Sequence, residues 1–125
     1  MTRCAKRRTL DEIRDYIEAN YAERLSLEEL AAQAQLSVFR FATVFRRKFG
    51  VSPYRFLSMV RVAAAQQLLL EGAPTAIVAI EVGFCDQSHL GRHFRSICGK
   101  TPGQFLAEKL SAYRATTNSS FRAAR

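Results

Sequence analysis

Two short runs combine side chains that hydrogen-bond to flat, acceptor-rich partners with small or aromatic ones that allow close contact. In the first, Phe39, Ala42, Thr43, Arg46 and Arg47 follow one another at steps suited to one face of a helix. In the second, Gln87, Ser88, Gly91, Arg92 and Arg95 do the same, with His89 at the edge of the set. Arg offers a two-pronged fork to guanine O6 and N7, and Gln can bracket adenine. Ser or Thr can read either edge, and an aromatic ring can touch a thymine methyl. Ala42 and Gly91 keep the middle of each face slim. Gly91 in mid-helix costs roughly 1 kcal/mol relative to Ala, and close approach to another surface would explain why it is tolerated.

The charge pattern points the same way. The chain carries a formal +8, yet seven of its eleven acidic residues fall between Asp11 and Glu29. From Leu30 to Leu70 there is no Asp or Glu, while Arg40, Arg46, Arg47, Lys48, Arg55 and Arg61 all lie there. A second acid-free stretch, Gln87 to Ala107, contains Arg92, Arg95 and Lys100. Segregation of this kind leaves one surface positive and suits a polyanionic partner.

Other chemistries find less support. No Ser/His/Asp or Cys/His arrangement and no Gly-rich phosphate loop stands out, so no enzyme is expected. His89 and His93 are four apart, a spacing that could share a metal, with Cys85 and Asp86 just upstream. No Glu follows the first His, however, and the helical position sets His93 at the core edge, so neither metal nor cofactor is expected. Cys4, Cys85 and Cys98 are odd in number with no CxxC pair, which fits plain thiols in a reducing cytoplasm. The longest apolar region, Phe56 to Leu70, is interrupted by Arg61, Gln66 and Gln67 and falls short of the ~20 residues a bilayer span needs. The basic N-terminus leads into Asp11 and Glu12 with no apolar core, so no signal peptide is expected.

The elements that must hold the two faces are themselves repeated. FRRKFGVSPYRFL, starting at Phe45, returns as FRSICGKTPGQFL, starting at Phe94, with Phe, Arg, Gly, Pro, Phe and Leu at identical spacing. Around each copy the order is short helix, tight turn, longer helix, Gly, then a helix opened by Ser-Pro or Thr-Pro. Thr9/Glu12 and Ser26/Glu29 have capping-box spacing, and Ser37 suits a helix N-cap. Pro53 and Pro102 suit a first helical position, where a missing N–H is harmless. Leu36 and Phe84, the apolar residues of the two turns, lie 48 apart, while Phe41 and Leu90 lie 49 apart, so the second turn holds one more residue. Phe41, Val44, Phe45 and Phe49 form one core stripe, and Leu90, Phe94, Ile97 and Cys98 the other.

The expected fold is all-α, with about seven helices: two tandem helix-turn-helix subdomains joined by a long linker helix. The expected boundaries are 9–51 for the first subdomain, 52–72 for the linker helix and 73–113 for the second. Residues 114–125, which lack periodicity, read as a flexible tail. A linker of this length spans roughly 30 Å, close to the ~34 Å between successive major-groove faces on one side of a duplex. One chain could then do what helix-turn-helix dimers do.

AQLSVFRFATVFRRKFGVSPYRFL, the Arg61-Val-x-Ala-Ala run and VGFCDQSHLGRHFRSICGKTPGQF resemble the AraC/XylS family of bacterial transcription regulators. The resemblance covers residues 9 to 110, and the length is similar to that of the single-domain MarA/SoxS type, which lacks an effector-binding domain. It implies a cytoplasmic monomer on an asymmetric double-stranded DNA site, regulating transcription, as an activator, through RNA polymerase. By position, Phe39, Arg40, Ala42 and Thr43 would face bases in one groove, and Gln87, Ser88, His89 and Arg92 in the next. Arg46, Arg47, Lys48, Arg55, Arg61, Arg95 and Lys100 would meet phosphates, with the helix N-termini near Ser52 and Thr101. Thr43 departs from the Arg that members often carry there. Two further readings stay open: a protein-interaction module whose basic face docks an acidic partner, and the C-terminal module of a longer ligand-responsive regulator.

Overall fold

The Thr9 hydroxyl accepts the Glu12 N–H while the Glu12 carboxylate accepts the Thr9 N–H, and Ser26 and Glu29 repeat the exchange. These two capping boxes start α1 (Leu10–Asn20) and α2 (Leu27–Gln33) where the spacing predicts. The structure, a computed structural model, describes residues 6–123, with side chains as far as residue 114. Cys4 lies outside the described residues.

Each helix-turn-helix turn reverses through a left-handed backbone. After α2 the reversal is at Gln35 (φ 56°), and Ser37 then caps α3 (Val38–Phe49). After α5 (Thr75–Glu81) it is at Gly83 (φ 105°), and Asp86 caps α6 (Gln87–Cys98) by accepting the His89 N–H at 2.8 Å. Cys85 is the additional residue of the second turn. Both long helices stop on a left-handed glycine, Gly50 and Gly99, as C-terminal glycines commonly do. Ser52 then caps α4 (Pro53–Leu70), and Thr101 and Gln104 exchange bonds at the start of α7 (Pro102–Ala123). The fold is all-α: seven helices and no strand among the described residues.

One boundary differs from expectation. α7 continues past Tyr113 as far as Ala123 instead of fading there. Beyond Gly103 there is no Gly or Pro to stop it, and i→i−4 bonding propagates once a turn exists, with or without an apolar stripe. Among the described residues no helix is long and apolar enough to cross a membrane.

The core forms in two parts. Ile13, Ile17, Leu30, Ala31, Phe41, Phe45 and Leu57 are buried together on the N-terminal side. Val62, Ala65, Leu69, Val78, Val82, Phe84, Leu90, Phe94 and Phe105 are buried together on the C-terminal side. α4 contributes Leu57 to one part and Val62, Ala65 and Leu69 to the other, so a single rigid element belongs to both. At 18 residues it is about 27 Å long.

Arg61 closes the junction between the parts. Its Nε–H donates to the Tyr21 carbonyl at 2.7 Å and an Nη2–H to the Glu23 carbonyl at 2.9 Å. The guanidinium also lies 5.6 Å from the centroid of the Phe84 ring. Two carbonyls just past the end of α1 thus find donors on α4, while the cation sits over an aromatic of the second lobe.

Candidate nucleic-acid interface

α6 buries Leu90 and Phe94 and leaves Gln87, Ser88, Arg92 and Arg95 exposed. Ile97 and Cys98 complete its inward side, where Cys98 Sγ accepts from the Gln66 amide at 3.0 Å. The Arg92 and Arg95 guanidinium groups have no hydrogen-bond or ion-pair partner among the described residues. A Cβ built on Gly91 would meet nothing within 4 Å. No internal packing requires a glycine there.

α3 is built alike but carries different chemistry. It buries Phe41 and Phe45, with the Phe49 ring tilted against Phe45 at 4.5 Å between centroids. Phe39 is 82% exposed, which rules out a role in the core. Thr43 donates its hydroxyl proton to the Phe39 carbonyl at 2.9 Å, leaving only acceptor capacity for an outside partner. With Ala42 beside it, this face presents an aromatic, a methyl group and an acceptor, where α6 presents donors.

Arg40 lies apart from that set. It lines a hollow of about 550 Å³ together with Arg7, Arg8, Leu36 and Val44. The basic run at residues 6–8 was legible as charge, but nothing in its spacing tied it to α3.

Apart from Arg61, the residues expected at phosphates fall into three groups. Arg46, Arg47 and Arg95 are exposed, and their side chains are unpaired among the described residues. Lys48 pairs with Asp11 at 3.1 Å and Lys100 with Glu108; exposed pairs of this kind are weak and exchange readily with other anions. Arg55 donates to the Ser96 hydroxyl at 2.7 Å and to the Ser96 carbonyl at 3.2 Å, tying the start of α4 to the end of α6. Part of its guanidinium remains available.

Arg61 is a correction. It is 8% exposed and donates to the Tyr21 and Glu23 carbonyls, so it cannot reach a phosphate. Burial pulls its pKa below the ordinary value, yet a guanidinium in these surroundings stays charged. Its place near the middle of α4, facing inward, is a product of tertiary packing that charge counting does not reveal.

His89 and His93 form part of an aromatic stack beside the second turn. The His93 ring stacks on Phe84 at 5.0 Å, with Tyr54 on one side at 5.8 Å and His89 on another at 4.8 Å. Burial, followed by the charges of His89, Arg92, Arg61 and Arg55, pushes the His93 pKa below its ordinary value. His89 accepts the Cys85 N–H on Nδ1 at 3.2 Å, which leaves Nε2–H as the outward donor. The Asp86 carboxylate is engaged as the α6 cap.

Comparison with known proteins agrees with this geometry. Residues 30–108 match a family model described as a helix-turn-helix domain. The virulence regulon transcriptional activator VirF of Yersinia enterocolitica is 30% identical over 102 residues, covering 81% of this chain and 38% of VirF. The chain thus spans well under half the length of that relative. Among solved structures, the DNA-binding domain of the global transcriptional factor AdpA, in complex with a target DNA, superposes with a TM-score of 0.72. It is 33% identical and the match covers 86% of this chain and 94% of that one. A probable AraC family regulator from Rhodopseudomonas palustris superposes at 0.69 with 30% identity, covering 79% and 94%. With its two lobes, shared α4 and two helix-turn-helix units, the chain belongs to the AraC family as a helix-turn-helix DNA-binding domain.

Proposed function

We propose that this chain reads an asymmetric duplex site as a monomer, with α3 and α6 in successive major grooves. The observation that carries the reading is the pair of exposed faces on two helices held by one rigid α4. That helix is about 27 Å long, against a groove repeat of ~34 Å. The likeness to AdpA, solved on its target DNA, supports the same partner. α6 dominates base recognition, because Gln87, Ser88, His89 and Arg92 offer donors where Phe39, Ala42 and Thr43 offer few. α3 contributes contact with thymine methyls and sensitivity to groove shape. Arg46, Arg47 and Arg95 neutralise phosphates, assisted by Arg55 and by Lys48 and Lys100 once released from their carboxylates. By likeness to VirF, a transcriptional activator, the bound module promotes transcription; contact with RNA polymerase in the cytoplasm belongs to the same proposal.

The test begins with selection of a preferred site from randomised duplex, followed by titration against scrambled duplex at physiological salt. A clear preference is expected, with protection in two patches one helical turn apart. Arg92→Ala should lose ~1–3 kcal/mol on the preferred site and relax selection at one or two adjacent base pairs. Equal affinity of the wild type for both duplexes would overturn the reading.

A further inference from the structure

The hollow between the N-terminal segment and α3 collects positive charge, and no acidic residue is among those that line it. It holds about 550 Å³ and is lined by Arg7, Arg8, Thr9, Leu36, Arg40 and Val44. Arg8 is fixed in place: its N–H donates to the Gln33 carbonyl at 2.9 Å and its guanidinium to Gln33 Oε1 at 3.3 Å. The same guanidinium lies 5.2 Å from the centroid of the Tyr16 ring. The segment is therefore anchored to α1 and α2, and Arg7 extends from an anchored backbone.

The guanidinium groups of Arg7 and Arg40 have no hydrogen-bond or ion-pair partner among the described residues. Glu12, an acid close enough to feel Lys6 and Arg8, has its carboxylate turned back to accept the Thr9 N–H at 2.8 Å. Two free guanidinium groups and a third that is tethered thus share one concave wall. Arg40 and Val44 belong to α3, and Arg40 stands three residues ahead of Thr43, so the hollow borders the edge of that helix's outward face. Concave walls of one sign raise the local potential, and guanidinium forks match phosphate oxygens in pairs.

We infer that Arg7 and Arg40 clamp a backbone phosphate of the DNA at the outer edge of the first major groove, with Arg8 as the tether that holds the clamp open. The inference rests on the DNA-reading function proposed above, and it moves Arg40 from base recognition to backbone contact. A clamp here lengthens the protected site on the α3 side and compensates for the few donors on that helix. Phosphate contacts carry no sequence information themselves but hold a reader in register.

The experiment uses the full chain with Arg7→Ala, Arg40→Ala, the double variant and Arg7→Lys, each titrated over a range of salt on the selected site and on random duplex. The double variant should flatten the slope of log K against log salt by about 0.9, the value for one phosphate, and each single alanine by part of that, equally on both duplexes. Arg7→Lys should keep the wild-type slope. Phosphate ethylation at the α3 end of the site should weaken wild-type binding and leave the double variant unaffected. An unchanged slope in the double variant overturns the clamp, as does a loss with Arg40→Ala confined to one base pair. A third overturning result would come from side-chain NMR: inorganic phosphate shifting the Arg7 and Arg40 signals while duplex DNA does not, which marks a site for a free anion. Because random duplex reports the clamp by itself, loss of site preference in the wild type would sink the DNA-reading function without deciding the clamp's fate.

Discussion

A methyl group on Gly91 would touch nothing within 4 Å of the protein, so at this residue folding and binding make separable demands. Gly91→Ala should stabilise the fold by roughly 1 kcal/mol through helix propensity alone. The same methyl would stand between α6 and the base edges, so affinity for the selected site should fall while melting temperature rises. Calorimetry and a binding titration on one variant check both signs; higher stability with undiminished binding would mean the glycine is not there for the groove. Thr43 makes the complementary point. Sequence alone shows a hydroxyl among reading positions, but only the structure shows that its proton is already given to the Phe39 carbonyl.

At the scale of elements, the two turns look equivalent in the repeat yet meet different neighbours. A Cβ on Gly83 would lie 2.8 Å from Arg61 Nε and 3.0 Å from the Tyr21 carbonyl, on a backbone at φ 105°. On Gly99, also left-handed, it would meet nothing within 4 Å. Gly99→Ala should therefore cost only the left-handed penalty of ~1–2 kcal/mol, and Gly83→Ala distinctly more, because Arg61 must give way. Equal losses in thermal melts would show that the contact is slack. The aromatic stack on α6 predicts a pH dependence. The His93 pKa is lowered from the ordinary 6.5 in the folded chain, so the unfolded chain binds its proton more readily. That contribution to stability is complete above about pH 6.5 and is lost as pH falls toward the lower folded value. His93→Gln should flatten the stability profile between pH 7 and 5, as measured by denaturant titration; an unaltered profile would assign the acid sensitivity to other groups.

For the molecule as a whole, the pose of one lobe against the other depends on α4 and on Arg61. Arg61→Met keeps much of the apolar stem but leaves the Tyr21 and Glu23 carbonyls without their donors. Such a loss of a buried partner typically costs 1–3 kcal/mol. Affinity for a site with both half-sites should fall by more than affinity for a duplex carrying the α6 half alone, because the lobes are no longer held one groove apart. Equal losses on the two duplexes would make Arg61 a stabilising residue with no part in pose. A phosphate contact at Arg61 predicts a different result, a flatter salt slope on any duplex.

The helices, their caps and the duplicated corner were legible because they rest on local rules. Ser or Thr three residues ahead of Glu, Pro at a first turn and Gly at a helix end act over a few residues, and periodic Phe and Leu mark the buried stripe. The repeat also exposed the longer second turn and, by elimination, the two faces left for DNA. What sequence could not supply was the neighbour of each charge. Arg61, Arg55 and Arg40 stand alike in an acid-free stretch, yet packing buries the first, ties the second to Ser96 and sets the third beside Arg7. Those outcomes depend on contacts between residues up to 41 positions apart along the chain. Spacing within one helix carries no information about them. The chain's own pattern determined which two helices present polar outward faces; tertiary packing decided which cations remain free.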